Sequence, residues 1–325
     1  MQGRDLVLAA YRREESPRVP WVPFTGVHAA GLAGYSAQEA LHDVDKLVQA
    51  ALVAHDLYRP DGQPVLFDLQ VEAEILGCEL RWADDAPPAV VSHPLQLKGY
   101  DALGDLAVPT PSEGRLPIAL DATRRLVESI GNQTAIYGLI TGPFTLASHL
   151  RGLDLFLDMF DAPDAVGELM EFCGAVAQRM TELYASAGAD VIAVVDPMIS
   201  QISADHFRHF VAPVAASVME HIRTCGKAAS FFVCGDATEV LAPMAECHPD
   251  GISVDENVDL KIARSVAERY GISFAGNIPL TTVMLFGNEV DNMRCVLDLL
   301  DAYGGPGYIL SPGCDIPFSV PLSNI

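Results

Sequence analysis

The sequence has little positive charge. Its 325 residues include 20 Lys and Arg against 43 Asp and Glu, which gives a formal net charge of −23. A field of this sign repels the phosphates of nucleic acids and of anionic membrane surfaces, so we expect neither as a partner. The same charge disfavours a substrate with many carboxylates unless arginines cluster locally. An acidic surface that keeps the protein soluble explains the composition equally well.

The sequence also lacks a membrane-spanning run, a secretion signal and a disulfide framework. No stretch of eighteen apolar residues occurs, and residues 1–5 do not open an apolar signal-peptide segment. The seven cysteines are an odd number and are scattered without framework spacing. This usage is typical of reduced thiols in a cytoplasmic protein, which is the location we predict.

A phosphate-binding loop is missing as well. Neither Gly-x-Gly-x-x-Gly nor Gly-x-x-x-x-Gly-Lys-Ser/Thr follows the first clear strand, and this weakens a nucleotide-binding interpretation.

What the sequence does have is a regular alternation of strands and helices from about residue 115. Continuous β-branched runs separated by amphipathic segments predict a buried parallel sheet. About eight such units favour a closed (β/α)8 TIM barrel over an open sheet. We therefore expect one domain over 1–325, with an N-terminal extension. The chain stops at 321–325, where a closing helix would normally begin, as if a short C-terminal tail were missing.

Before residue 115 the pattern is less regular. We predict a short strand over 18–23, a helix over 36–54 capped by Ser36, and a strand over 64–68. A polar, Pro-rich surface excursion with a short hairpin is expected over 84–111.

Polar residues end most of the predicted strands. The carboxyl ends of barrel strands open onto one face, so these side chains are predicted to converge there. A single acid at such a position also serves often as a helix cap or loop anchor. We take Asp196, Asp255 and Glu256 as candidate catalytic acids. Candidate substrate contacts are Asp68, Thr141 and Asn277, together with His28 in the first loop and His149 on the helix after residues 141–143.

Two cysteines, Cys234 and Cys314, also end apolar strand-like runs. Two thiolates at a strand mouth favour a soft metal, above all zinc. The local third ligand would stand two residues before Cys234, on the same face of the strand, and that residue is Phe232. A substitute could come from Asp255, Glu256, Asp196 or a histidine such as His28 or His149. Otherwise both cysteines are unmetallated thiols of a pocket.

Taken together, several segments resemble the uroporphyrinogen decarboxylase superfamily, and within it the corrinoid-dependent methyltransferase branch that includes the methylcobamide:coenzyme M methyltransferases. The resemblance covers nearly the whole chain. It rests on residues 4–10 (RDLVLAA), 18–20 (RVP), 67–68 (FD), 72–78 (EAEILGC), 141–145 (TGPFT), 196–197 (DP), 202–203 (IS), 234–235 (CG), 276–277 (GN) and 313–317 (GCDIP).

The resemblance implies a TIM barrel that moves a methyl group between a corrinoid protein and a small thiol or a methoxylated or methylated compound. In that branch zinc is held by His-x-Cys on one strand and by a cysteine on the last strand. Cys234 and Cys314 match, whereas Phe232 departs from the pattern. Three explanations of this departure remain open. Zinc has a substitute carboxylate ligand, the site is metal-free and the substrate is not a thiol, or the protein has drifted to another role. The corrinoid is expected on a partner protein, because this chain has no Asp-x-His-x-x-Gly motif.

Two alternatives stay beside this hypothesis. One is a decarboxylase acting on a small or tetrapyrrole acid, with Asp68 at the position of the pyrrole-binding aspartate. Its arginine-rich N-terminal loop has no counterpart in residues 22–34, which contain no arginine. The other is a non-catalytic ligand-binding barrel. The sequence leaves the methyl donor, the acceptor, the direction of transfer and the oligomeric state open.

Overall fold

A parallel sheet that curls around on itself forms the centre of the molecule. The computed structural model describes all 325 residues. Its strands are β1 (Gly62–Pro64), β2 (Leu80–Arg81), β3 (Ala89–Val90), β4 (Ala135–Thr141), β5 (Val191–Val195), β6 (Ala228–Val233), β7 (Gly251–Val254), β8 (Ser273–Ile278) and β9 (Tyr308–Pro312). Seven of them run parallel in the order β1-β4-β5-β6-β7-β8-β9, and β2 with β3 forms a separate antiparallel hairpin.

An extended segment, Pro20–Val22, closes the sheet between its last and first strands. The Val22 N–H donates to Leu310 O at 3.0 Å, and the Leu310 N–H donates to Pro20 O at 3.0 Å. On the other side the Asp61 N–H donates to Trp21 O at 2.8 Å. The predicted TIM-barrel class is therefore confirmed, although the strand expected over 18–23 is reduced to this short segment.

Helices surround the sheet. They are α1 (Gly3–Tyr11), α2 (His28–Leu32), α3 (Ala37–His42), α4 (Val44–Tyr58), α5 (Val71–Ile75), α6 (Pro94–Lys98), α7 (Leu116–Ile130), α8 (Pro143–Arg151), α9 (Asp154–Asp161), α10 (Pro163–Ala187), α11 (Ala204–His206), α12 (Ala212–Thr224), α13 (Leu241–Glu246), α14 (Leu260–Tyr270) and α15 (Glu289–Tyr303). None is long and apolar enough to cross a membrane. The cytoplasmic location stays a prediction.

Two predicted elements differ from the structure for local reasons. The helix expected over 36–54 is split into α3 and α4, because Asp43 adopts an extended backbone and caps α4 by accepting from the N–H groups of Asp45 and Lys46. Ser36 caps α3 as predicted. The strand expected over 64–68 begins and ends earlier, as β1, because the chain leaves the ladder after the Val65 N–H has bonded to Tyr137 O.

The core has two large clusters and a small third one, formed by Ala29, Ala50 and Ala54 between α2 and α4. A cluster of 71 buried residues lies between the sheet and its helices, and a cluster of 15 fills the inside of the barrel. The inner cluster combines the rings of Phe24, Phe67, Tyr137 and Phe232 with small side chains. The barrel is thus filled beneath its mouth, as in other (β/α)8 proteins, and we expect a substrate to bind at the rim.

A buried carboxylate holds the closing segment in place. Asp61 accepts hydrogen bonds from both terminal nitrogens of Arg18, at 2.5 and 2.7 Å, and from the Trp21 N–H at 2.8 Å. Its side chain is only 4% exposed. Charge-assisted bonds of this kind are stronger than neutral ones, so Asp61 joins the N-terminal segment firmly to β1.

We expect Asp61→Ala to lower the free energy of unfolding by about 3 kcal/mol, because a buried main-chain donor and a guanidinium lose their partner together. Chemical denaturation followed by circular dichroism measures this. Asp56→Ala is the matched control, since the Asp56 side chain is 86% exposed and should change stability little. Equal stabilities of the two variants would show that the closing segment, Pro20–Val22, does not depend on Asp61.

Candidate functional site

The two candidate cysteines meet across the mouth of the barrel. Cys234 directly follows β6 and Cys314 follows β9, with β7 and β8 between these strands. Their Cα atoms are 6.0 Å apart and the sulfurs are joined as a disulfide, although 80 positions separate them in sequence. The expected proximity is confirmed. The expectation that all seven thiols are free is wrong for this pair, because cysteine spacing does not show which strand ends the fold brings together.

Glycines let the loops that carry the cysteines approach their neighbours. Gly235 has a φ of +88°, and a Cβ there would lie 2.8 Å from Ser200 Oγ. A Cβ on Gly313 would lie 2.6 Å from the Glu256 nitrogen. Both loops therefore lie too close to neighbouring segments of the protein to admit a side chain at these two positions.

Phe232 belongs to an aromatic floor beneath the cysteines. Its ring centroid lies 4.8 Å from that of Phe24 and 5.8 Å from that of Phe67, and the side chain is fully buried. No group of three His, Cys, Asp or Glu side chains is arranged to hold a metal ion. The side chains at the mouth thus offer a pair of sulfurs and no third donor.

Asp255, Glu256 and Asn277 lie together at the ends of β7 and β8. The Asn277 amide donates to Asp255 O at 3.0 Å and to Val258 O at 2.8 Å. The Glu256 carboxylate accepts from the Leu280 N–H. These contacts shape the loop on which Gly313 rests, so all three residues border the Cys314 side of the mouth.

Asp196 is enclosed by the start of α8. Its carboxylate accepts from the N–H groups of Phe144 and Thr145 at 3.0 and 2.8 Å, and from Thr145 Oγ1 at 2.6 Å. Burial raises its pKa to about 6, and these bonds oppose the rise. Gly142 is required here, since a Cβ on it would lie 2.2 Å from the Asp196 side chain. The geometry is that of a capping carboxylate shared between two strand ends.

Asp68 forms a buried ion pair. Its carboxylate accepts from Arg115 Nη1 at 2.5 Å, and Arg115 Nε donates to Glu74 at 2.7 Å. Sequence reasoning missed Arg115, which immediately precedes α7. A single arginine next to a predicted helix carries no signal of its own, and only the fold brings it against two acids.

Thr141 lies at the end of β4 and is held by another missed residue, Glu72. Glu72 accepts from the Thr141 N–H at 2.9 Å and from its hydroxyl at 2.7 Å, and burial raises the pKa of this carboxyl. Thr141 therefore anchors α5 to the sheet, and its substrate contact stays a prediction.

The two histidines are not brought to the cysteines. His28 bonds through Nε2 to the Tyr58 hydroxyl at 2.7 Å and through Nδ1 to Phe318 O at 3.1 Å. His149 lies in the last turn of α8, away from the helix N-terminus at the mouth. Burial, and then the nearby His93, lower the pKa of His149 to about 4. Their substrate roles stay predictions, and neither ring is positioned as a zinc ligand.

Asp315 was also missed. It follows Cys314 directly, and a Cβ on Gly26 would lie 2.1 Å from its Oδ1 atom. That oxygen is buried without a hydrogen-bond partner. Burial, and then the Asp68 charge, raise the pKa of Asp315 well above its usual range. The rule that polar residues after strands face the mouth would have selected it, had the rule been extended one residue past the cysteine.

The chain belongs to the uroporphyrinogen decarboxylase (URO-D) family, because the sequence model of that family matches residues 2–325. It is 28% identical over 328 residues to the methylcobamide:CoM methyltransferase MtbA of Methanosarcina acetivorans, covering 99% of this chain and 95% of that protein. It is 25% identical to a uroporphyrinogen decarboxylase of Koribacter versatilis, with 90% and 83% covered. A solved methyltransferase from Methanosarcina mazei superposes with a TM-score of 0.88 at 26% identity, covering 100% of this chain and 96% of that one.

The contacts of Asp196 lead to a prediction that separates capping from catalysis. We expect Asp196→Ala to reduce the free energy of unfolding by about 3 kcal/mol or more, because three buried donors lose their acceptor. Thermal and chemical unfolding measure the change. Asp205→Ala, at a side chain 98% exposed, is the control. A variant as stable as the control would contradict the capping role and return Asp196 to the candidate acids.

Proposed function

We propose that this protein is a methyltransferase that moves a methyl group between a corrinoid protein and a small thiol, or a methoxylated or methylated compound. The observation that carries the proposal is the pair of cysteines at the mouth of a barrel that matches the named methyltransferases along nearly its whole length. We infer the class of reaction from the relatives that are named methyltransferases. The mouth of the barrel is the proposed site of the reaction.

The mouth of the barrel suits the transfer of a small group such as methyl. A corrinoid presents its methyl group on cobalt, and the acceptor must approach that carbon in line. Phe24, Phe67 and Phe232 close the barrel below, so an acceptor held at the rim lies against an apolar surface that limits its hydration. A less solvated nucleophile is more reactive, and this is the contribution we assign to the floor.

The charges at the mouth favour a substrate without several carboxylates. Arg115 is already engaged by Asp68 and Glu74, and the carboxyl groups of Asp255 and Glu256 nearby have no basic partner. The carboxylates of a tetrapyrrole would face acidic side chains at the mouth, and Arg115 would not be free to pair with them. This supports methyl transfer over the decarboxylase alternative.

Among the candidate acids, we propose that Asp255 and Glu256 protonate the leaving oxygen when a methoxylated compound is demethylated, and that Asp196 is a positioning residue. Asp255 and Glu256 border the cysteine loop, whereas both Asp196 oxygens are occupied by the start of α8. We propose Asp68, Thr141 and Asn277 as residues that shape the substrate-facing loops.

Zinc is the cofactor that the resemblance implies. Cys234 and Cys314 supply two sulfur donors that one ion could bridge, which is what supports it. A catalytic zinc takes three protein ligands and keeps one open position, and Phe232 stands where the third is expected. The side chains present do not fit such a site.

The test is reconstitution of the reduced protein in two arms, methylcobalamin with a panel of small thiols as acceptors and cob(I)alamin with a panel of methoxyarenes as donors. We expect demethylation of methylcobalamin by at least one thiol or methylation of cob(I)alamin by at least one methoxyarene, and Cys234→Ser should lower the rate about 100-fold or more. Absorbance of the corrinoid follows the reaction. Cys225→Ser is the control, because Cys225 lies at the opposite end of β6 and should leave the rate unchanged.

Two outcomes would count against methyl transfer. Release of carbon dioxide from uroporphyrinogen or a smaller acid, without any corrinoid, would favour the decarboxylase. Ligand binding with no turnover of any panel member would indicate a non-catalytic barrel.

A further inference from the structure

The cysteine pair at the mouth has no third donor, and this leaves its chemistry to be explained without a metal. The Cα separation of 6.0 Å lies inside the range of 4.4–6.8 Å that a disulfide requires. Cys234 and Cys314 are both partly exposed, so a small molecule can reach them. By contrast Cys78, Cys173 and Cys247 are buried.

The surroundings bring the two sulfurs together and add no further metal ligand. The loops bearing them are fixed by close packing at Gly235 and Gly313, so neither cysteine has to move for the sulfurs to meet. Below them the Phe232 ring fills the space of a third ligand and is itself locked between two other phenylalanines.

We propose that Cys234 and Cys314 are a thiol–disulfide exchange site for small-molecule disulfides, which takes the place of a three-ligand zinc site in this chain. The exchange does not depend on the proposed function. Its consequence, that the oxidised form is inactive in methyl transfer and the reduced form active, rests on that function.

The exchange is balanced with a small disulfide as the oxidant. The thiolate of one cysteine attacks a sulfur of the disulfide, a protein–small molecule disulfide forms, and one small thiolate leaves. The second cysteine's thiolate then attacks the first protein sulfur and expels the other small thiolate. Two electrons pass from the cysteines to the small disulfide. The two protons lost by the cysteines end on the two small thiols released.

The experiment counts thiols and zinc in the same preparations, purified without chelator. Fully reduced protein is treated with 2-hydroxyethyl disulfide, an uncharged probe suited to the acidic mouth. It is then alkylated, digested and mapped by mass spectrometry. The wild-type protein should fall from seven alkylatable cysteines to five, with a single linked peptide joining Cys234 to Cys314. It should contain less than about one-tenth of a zinc ion per chain, given two protein ligands only.

Phe232→His is the matched variant, since it restores a donor two residues before Cys234. We expect it to take up about one zinc ion per chain and to keep both thiols protected from the probe until the zinc is chelated. If this variant does not fold, Cys234→Ser still tests the proposal. It should trap the mixed disulfide of Cys314 with the probe, because no second cysteine can displace it, leaving five alkylatable cysteines and no intramolecular link.

About one zinc ion per wild-type chain, lost in Cys234→Ser, would overturn the proposal, and so would seven free thiols after an excess of the probe. These readouts do not use methyl transfer. A protein that forms the link but transfers no methyl group would contradict the proposed function alone. A protein that transfers methyl groups but never forms the link would contradict this inference alone.

Discussion

Closure of the sheet by Pro20–Val22 is the constraint on which the site depends. These residues bond to β9 on one side and to the start of β1 on the other, and Asp61 fixes them there. Only a closed ring brings the loop after β9 back over the barrel interior, where it meets the loop after β6. Without this closing segment, Cys314 would lie at a free edge of an open sheet and its sulfur would have no fixed partner.

Most of the polar groups at the mouth are occupied with holding the mouth together. Asp196 caps α8, Glu72 binds Thr141, and Asp68 pairs with Arg115. Buried carboxylates need such partners, because an unpaired charge in an apolar interior is very costly. The side chains left over for chemistry are therefore few, and they cluster around Cys314.

Some of these features follow from local sequence pattern and others from contacts between distant segments. The parallel barrel, the mouth position of the strand-end residues and the meeting of Cys234 with Cys314 could be predicted, because each depends on the strand–helix alternation and on a rule that applies to all barrels. The role of Arg115 could not be predicted. It depends on a carboxylate from a distant loop, that of Asp68, 47 positions away in the chain.

The sequence by itself determined that β-branched runs alternate with amphipathic helices, and that a phenylalanine stands two residues before Cys234. Local pattern and residue identity are sufficient for both. Only the tertiary structure decided that this phenylalanine lies in an aromatic floor, that the two sulfurs are bonded, and that no third donor reaches them. Those facts depend on distances between segments far apart in the chain, and the packing of the closed barrel sets these distances.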